Sequence, residues 1–325
     1  LSANHNFDDE LDRYADYEAQ FQERQPRKRK ANHKPKQSIA EQITSAAETS
    51  GLEGGFKTTY KPGLFEEGWL LESLRPLYEM GLITDVLGRV KGGKEANVYR
   101  VAGSPNTGHA LLAAKVYRPH MFRTLKDDSA YRQGRSVLTG EGRAVKPSDH
   151  RVMRAIGKKS AFGEQVAHTS WLMHEYNTLK ALYERGAAVP QPISSSPNAI
   201  LMSYRGNETL AAPTLIEVAL DPDQAVGAFR TVLATIRALL GIGLVHGDLS
   251  AYNVLYWDDQ ATVIDFPQVI SIEGNPQARE LLKRDLTRIV DYFSRCGLTL
   301  DTEALLEQLW TPVAPIDTSA DWLED

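Results

Sequence analysis

The pattern of apolar and polar positions predicts two short strands late in the chain, Val254-Leu255-Tyr256-Trp257 and Ala261-Thr262-Val263-Ile264, on either side of Asp258-Asp259-Gln260. Apolar β-formers around a cluster of turn residues read as a tight hairpin. Further upstream, Leu82 to Val90, Ala110 to Tyr117 and Ala199 to Tyr204 read as strands, and Val189 to Ile193 as an extended segment. After residue 60, helical spacing recurs five times. Phe65, Trp69, Leu70, Leu74, Leu77 and Tyr78 make one face ending at Gly81, and Trp171 to Leu182 make a second helix. Asp223 to Gly241, Asn275 to Cys296 and Asp301 to Trp310 complete the set.

Residues 1–60 follow a different pattern. Phe7, Leu11, Tyr14 and Phe21 recur at helical spacing among acidic residues, which reads as an acidic amphipathic helix too weak to persist alone. Residues 24–36 then form a basic run with prolines and almost nothing apolar, expected to be mobile. This run reads either as a contact to a phosphate backbone such as RNA or as a solvated tail offsetting the acidic helix. It has no interleaved aromatic residues for base stacking. A second basic stretch, Arg118 to Ala161, connects a strand to a helix and reads as a long loop. It is either a flexible insertion or a surface for an acidic partner or substrate. The tail, Asp317 to Asp325, is acidic.

Composition narrows the setting. The 325 residues carry a net charge of −5, which gives no global case for nucleic-acid binding. The single cysteine, Cys296, excludes an internal disulfide and fits a reducing compartment. No apolar run approaches the ~20 residues needed to span a bilayer, and the first residues lack the features of a signal peptide. A cytoplasmic protein with no membrane partner is the expectation.

The chemistry gathers around His246-Gly247-Asp248-Leu249-Ser250-Ala251-Tyr252-Asn253 and Asp265. The hairpin puts Asp248 and Asn253 on the loop entering its first strand and Asp265 at the end of its second. Two carboxylates and a carboxamide then converge. Phosphoryl transfer needs such a set: oxygen ligands for Mg²⁺ and a carboxylate to orient the attacking hydroxyl. His-x-Asp-x₄-Asn is also the spacing of a kinase catalytic loop. Lys115 lies inside an apolar strand, where an ammonium is costly unless paired or bound to an anion. Its expected helix partner is Glu175, with Glu164 as the alternative. Gly92 and Gly93 between two strands let the backbone approach a phosphate, although two glycines alone equally make a plain hairpin turn. Met202 to Tyr204 occupy the place of a strand and hinge that receive adenine.

Gly93-Lys94-Glu95-Ala96-Asn97-Val98-Tyr99, Lys115-Val116-Tyr117, His246 to Asn253, Asp265-x-x-Gln268 and Asn275 to Asp285 together resemble the RIO family of atypical serine/threonine protein kinases. The resemblance covers roughly residues 65 to 300. It implies an α+β, bilobal protein-kinase-like fold with a small antiparallel-sheet N-lobe (61–202, including the basic loop 118–161) and a mainly helical C-lobe (203–310). The mobile tail 1–60 and acidic tail 311–325 flank them, and the activation segment and peptide-binding subdomains are lacking. It further implies that Lys94 covers the phosphates and that Lys115, paired with Glu175, binds the α- and β-phosphates. Met202 and Tyr204 flank the base, Asp248 is catalytic, and Asn253 and Asp265 hold Mg²⁺ or Mn²⁺. Asp265 is also the residue that would carry an aspartyl-phosphate.

Three features depart from the family, one being a loop after Tyr117 longer than expected. Lys91-Gly92 stands where the family has Ser-Thr, so hydroxyl contacts to the phosphates are absent, and Pro267 removes a backbone donor after Phe266. The leading expectation is an ATP- and Mg²⁺-dependent serine/threonine protein kinase acting on itself or another protein. The first alternative is an ATPase switch that binds RNA or a ribosomal subunit through residues 24–36 and 118–159. The second is a small-molecule phosphotransferase of the aminoglycoside-kinase type.

Overall fold

Alternation along five strands builds an antiparallel sheet in the order β1-β2-β3-β5-β4, from β1 (Ile83–Gly92), β2 (Ala96–Gly103), β3 (Leu111–Tyr117), β4 (Pro192–Ser196) and β5 (Ala199–Ser203). The computed structural model describes residue 56 and residues 58–93, 95–118, 137–146, 149–158 and 160–311, all within one compact unit, Ile43–Asp325. The expectations for residues 1–55, Lys94, most of the basic connection and the tail after 311 lie outside the described residues.

One face of the sheet is sealed by helix α1 (Leu64–Glu79). Its Leu70, Leu74 and Leu77 are buried with Tyr99, Val101, Leu112, Ala114, Val116 and Leu201. Since side chains alternate across a strand, Val98, Ala113 and Lys115 turn to the other face. Helix α3 (Ala161–Glu184) packs there, with Leu172 and Met173 against Tyr117 and Ile200. The sheet thus has an apolar back and a face that carries the chemistry.

Helix α3 starts at Ala161, well before the expected Trp171, because Ser160 in extended conformation caps it by accepting the Gly163 N–H at 3.1 Å. The connection before it is not one continuous loop. It contains helix α2 (His150–Gly157), capped by Asp149 through the Val152 N–H at 3.2 Å, and a bridge between Leu138 and Ala144.

The C-terminal half is helical. Helix α4 (Pro222–Gly241) opens with a reciprocal cap between Asp221 and Gln224 and Pro222 at its first turn. Helices α5 (Ala278–Arg295) and α6 (Thr302–Trp310) follow. Phe229 of α4 meets Phe293 of α5 edge-on at 5.3 Å between ring centres. Two small ladders lie against this core: β6 (Leu244–Val245) with β9 (Ile270–Ser271), and β7 (Val254–Trp257) with β8 (Gln260–Val263). The hairpin between β7 and β8 is tighter than expected. Asp258 and Asp259 alone form the turn, with φ of 48° and 58°, and Gln260 already pairs with Trp257. Two consecutive positive φ values match the twist of the flanking strands.

Candidate active site

The site begins with an ammonium that the fold has enclosed. Lys115 on β3 is only 12% exposed and lies 2.6 Å from Glu175 Oε1 on α3 and 2.6 Å from Asp265 Oδ1 after β8. Burial works against its charge, but the carboxylates of Asp265 and Glu175 outweigh that cost and hold its pKa above the usual lysine value. The Tyr117 hydroxyl donates to the second oxygen of Glu175, so both oxygens of this buried carboxylate are satisfied. Glu164 is exposed in the first turn of α3 and takes no part.

Asp265 has φ of 73°, a left-handed conformation that few residues other than glycine adopt. Burial pushes its carboxyl up, but Lys115, with Lys91 adding, holds the pKa below the usual carboxylate range. Its side chain remains 42% exposed, so one oxygen is bound to Lys115 while the group stays open to the cleft.

The loop before β7 is held from below. Asp285 of α5 is fully buried and accepts the N–H groups of Gly247 at 2.7 Å and Leu249 at 3.1 Å. Burial pushes its pKa up to about 7, against the lowering effect of those N–H groups and of Arg284 and Arg288. Arg284 donates to the Gly247 carbonyl, and Gly247 has φ of 79°. His246 is buried, and desolvation pushes its pKa below the usual imidazole value. Its Nε2 contacts the Ile264 carbonyl at 3.3 Å and its Nδ1 takes the Asp248 N–H at 3.4 Å. The Asn253 side-chain N–H donates to the Asp248 carbonyl at 2.9 Å. Arg288 Nη1 lies 2.8 Å from Asp248 Oδ1. One loop therefore displays Asp248, Asn253 and, across the hairpin, Asp265.

Further along the same face of the sheet, Met202 pairs with Ala113 and packs against both the C-terminal core and the cluster around Tyr117. The Ser203 N–H is taken by the Gln191 carbonyl at 2.8 Å. The half-buried Tyr204 has an enclosed hydroxyl with no partner among the described residues. In the glycine turn, a Cβ on Gly93 would stand 2.7 Å from the Ala96 carbonyl oxygen, so that close approach requires glycine. Asn97 ties the turn down, its Oδ1 accepting from Gly93 N and Arg118 Nη2.

Lys115, Glu175 and Asp265 are brought into contact, and Asp248 and Asn253 share a loop. Four supporting residues carried no role in the sequence reading: Tyr117, Arg284, Asp285 and Arg288. Tyr117, Arg284 and Asp285 lie in motifs that carry the family resemblance, but only the tertiary fold shows what each of them holds.

A two-lobed cleft, a sheet lysine bound to a helix glutamate and a loop of Asp and Asn define the class: a protein-kinase-like phosphotransferase. A family model, the RIO domain, matches residues 97–305. The chain is 32% identical over 231 residues to the RIO-type serine/threonine-protein kinase Rio1 of Haloferax volcanii, covering 71% of each protein. It is 28% identical to serine/threonine-protein kinase RIO1 of Chaetomium thermophilum and 27% identical to that of Homo sapiens. These matches take in 67% and 68% of this chain but 41% and 35% of those longer proteins. The chain belongs to the RIO family, and so to the ATP-dependent serine/threonine protein kinases. Membership sets aside the small-molecule phosphotransferase alternative. No helix among the described residues is long and apolar enough to cross a membrane.

Proposed function

We propose that this chain transfers the γ-phosphate of ATP to a serine or threonine hydroxyl, its own or a protein substrate's. Asp248 is the catalytic carboxylate, and Asn253 and Asp265 hold Mg²⁺, or Mn²⁺ in its place. The observation that carries the reading is Lys115 held 2.6 Å from both Glu175 and Asp265, a cation tethered to each half of the cleft.

The donor set fits a hard divalent ion. The Asn253 amide nitrogen is occupied by the Asp248 carbonyl, which leaves its oxygen for the ion, and Asp265 is an open carboxylate. Mg²⁺ commonly takes one or two protein oxygens and completes its shell with phosphate and water. When bound, it neutralises charge developing on the transferred group. Lys115 binds the inner phosphates, Lys94 covers them, and Met202 and Tyr204 flank the base. Asp248 orients the acceptor hydroxyl and receives its proton as the new phosphorus–oxygen bond forms. The bond to ADP breaks as the leaving group departs. His246 is buried with its ring nitrogens turned to the Ile264 carbonyl and the Asp248 N–H, so it supports the loop.

A second reading has Asp265 itself as the acceptor, giving an aspartyl-phosphate and ATPase turnover. At 42% exposed, this carboxylate stays open to the cleft, which supports that reading. Binding to RNA or a ribosomal subunit rests on residues 24–36 and the basic connection. The described part of that connection sets His150, Arg151, Arg154 and Lys158 around a groove of about 460 Å³. A salt titration of RNA binding with and without residues 1–60 tests the tail, and a constant unchanged by truncation would reject it.

The test of the main reading is radiolabelled ATP with wild type, Asp248→Ala and Asp265→Ala. Label on protein serine or threonine, absent in both variants, is expected. Free phosphate with hydroxylamine-labile label on wild type would replace the kinase reading with the aspartyl-phosphate one.

A further inference from the structure

Lys91 ends a row of side chains that crosses the sheet. It lies opposite Val98, Val98 opposite Lys115, and Lys115 opposite Ile200. Residues directly opposite in antiparallel strands present their side chains to the same face. Lys91 therefore faces the cleft, two strand spacings or about 10 Å along the row from Lys115. A register shift between Arg89 and Lys91 separates the two cations of β1. Arg89, opposite Tyr99, turns to the back of the sheet, where its Nη1 lies 3.8 Å from Glu66 Oε1.

The charge of Lys91 reaches across the cleft. Hydrogen bonds from Thr214 chiefly, with Lys91 assisting, hold the Glu217 carboxyl below its usual range, and Lys91 also acts on Asp265. Neither is a bonded partner of the lysine. Glu217 accepts the Thr214 N–H and hydroxyl at 2.7 Å each, and Asp265 is bound to Lys115. Among the described residues no hydrogen bond or ion pair holds the exposed Lys91 ammonium. A lysine in that state, aimed at a site for polyphosphate, is a cation awaiting an anion.

We propose that Lys91 is a further phosphate-binding ammonium, which takes the terminal phosphate of a nucleoside triphosphate while Lys115 takes the inner ones. The assignment rests on the nucleotide-binding reading above and gives this chain a preference for triphosphate over diphosphate. Lys115 is tethered between Glu175 and Asp265 and cannot follow the chain of phosphates outward. Lys91 sits at the open end of the same row, on a long flexible stem. Charge-assisted bonds from an ammonium to phosphate are among the stronger polar contacts, which sets the expected size of the effect.

The experiment is equilibrium titration of the full chain with Mg²⁺-ATP, Mg²⁺-ADP and AMP, for wild type and for Lys91→Ala, Lys91→Arg and Lys91→Glu. Lys91→Ala is expected to weaken ATP about tenfold, ADP by less than about threefold and AMP not at all. Lys91→Arg should restore most of the loss and Lys91→Glu should deepen it. Equal losses for ATP and ADP, or none for either, would overturn the assignment while wild-type binding left the nucleotide site standing. Wild type failing to bind any of the three would overturn the nucleotide site itself, and Lys91 with it.

Discussion

The guanidinium of Arg288 on α5 lies 2.8 Å from Oδ1 of Asp248, and the two side chains are 42% and 43% exposed. One oxygen of the proposed catalytic carboxylate is thereby engaged, and the other is left for an acceptor hydroxyl. A pair this open to solvent is worth up to about 1 kcal/mol. Arg288→Ala is therefore expected to lower kcat about two- to fivefold with KM for ATP unchanged, and Arg288→Lys to recover part of it. Asp248→Ala should cost about 10²–10⁴ in kcat. Steady-state kinetics on the three variants checks both, and a change confined to KM would refute the positioning role of Arg288.

Lys115 neutralises a carboxylate that is almost wholly buried, since Glu175 is 5% exposed. Removing one member of such a pair strands the other, at about 3–5 kcal/mol. Lys115→Met should lower stability by that order, whereas Lys115→Met with Glu175→Gln should recover part of the loss. Denaturant unfolding of the single and double variants measures the coupling. Additive losses would mean that the pair contributes nothing as a pair.

Asp285 gives the molecule a pH dependence of definite sign. Its pKa is raised to about 7 from an unfolded value near 3.9, so the neutral form is the one folding favours. Its contribution is full below about pH 4 and is lost as pH rises through about 7, at most about 4 kcal/mol. Asp285→Asn cannot titrate, so the stability of wild type relative to this variant should fall between pH 4 and 7. A difference that is flat across that window, followed by chemical denaturation, would show that Asp285 is ionised throughout.

Gly247 stands where the kinase catalytic-loop pattern has an arginine, and here its φ is 79°. A side chain in that conformation costs roughly 1–2 kcal/mol. Gly247→Ala should lose stability by that amount, and Gly247→Asn less. Unfolding midpoints compare them, and an unchanged midpoint for Gly247→Ala would show that the loop can turn over without cost.

The parts of this fold that were legible in the sequence are those that local rules control. Lys115 could be singled out because an ammonium inside Leu111–Tyr117 demands partners, and Glu175 because apolar neighbours on its helix put it toward the interior. The hairpin of Val254–Val263 was visible in its apolar runs and paired aspartates. Helix α2 and the early start of α3 escaped because α2 is only 8 residues long and Ala161 to Ser170 offer few large apolar side chains to set a period, although Asp149 and Ser160 were cap signals in plain view. Arg288 and Tyr117 could not be assigned at all. Their partners lie 40 and 58 positions away, and no spacing rule reaches that far.

Among the described residues the sheet ends in two edge strands, β1 and β4, and β1 takes one backbone bond from outside the sheet, Tyr60 N–H to the Val86 carbonyl. An open edge invites another chain to add itself and so begin a fibre. β1 breaks step with β2 three times, and β4 is five residues long, begins with Pro192 and has a break of its own. Each interruption twists or shortens the row of free amide and carbonyl groups that a newcomer would have to match. The irregularity that turns Lys91 inward therefore also helps to keep neighbouring molecules from zipping together at β1.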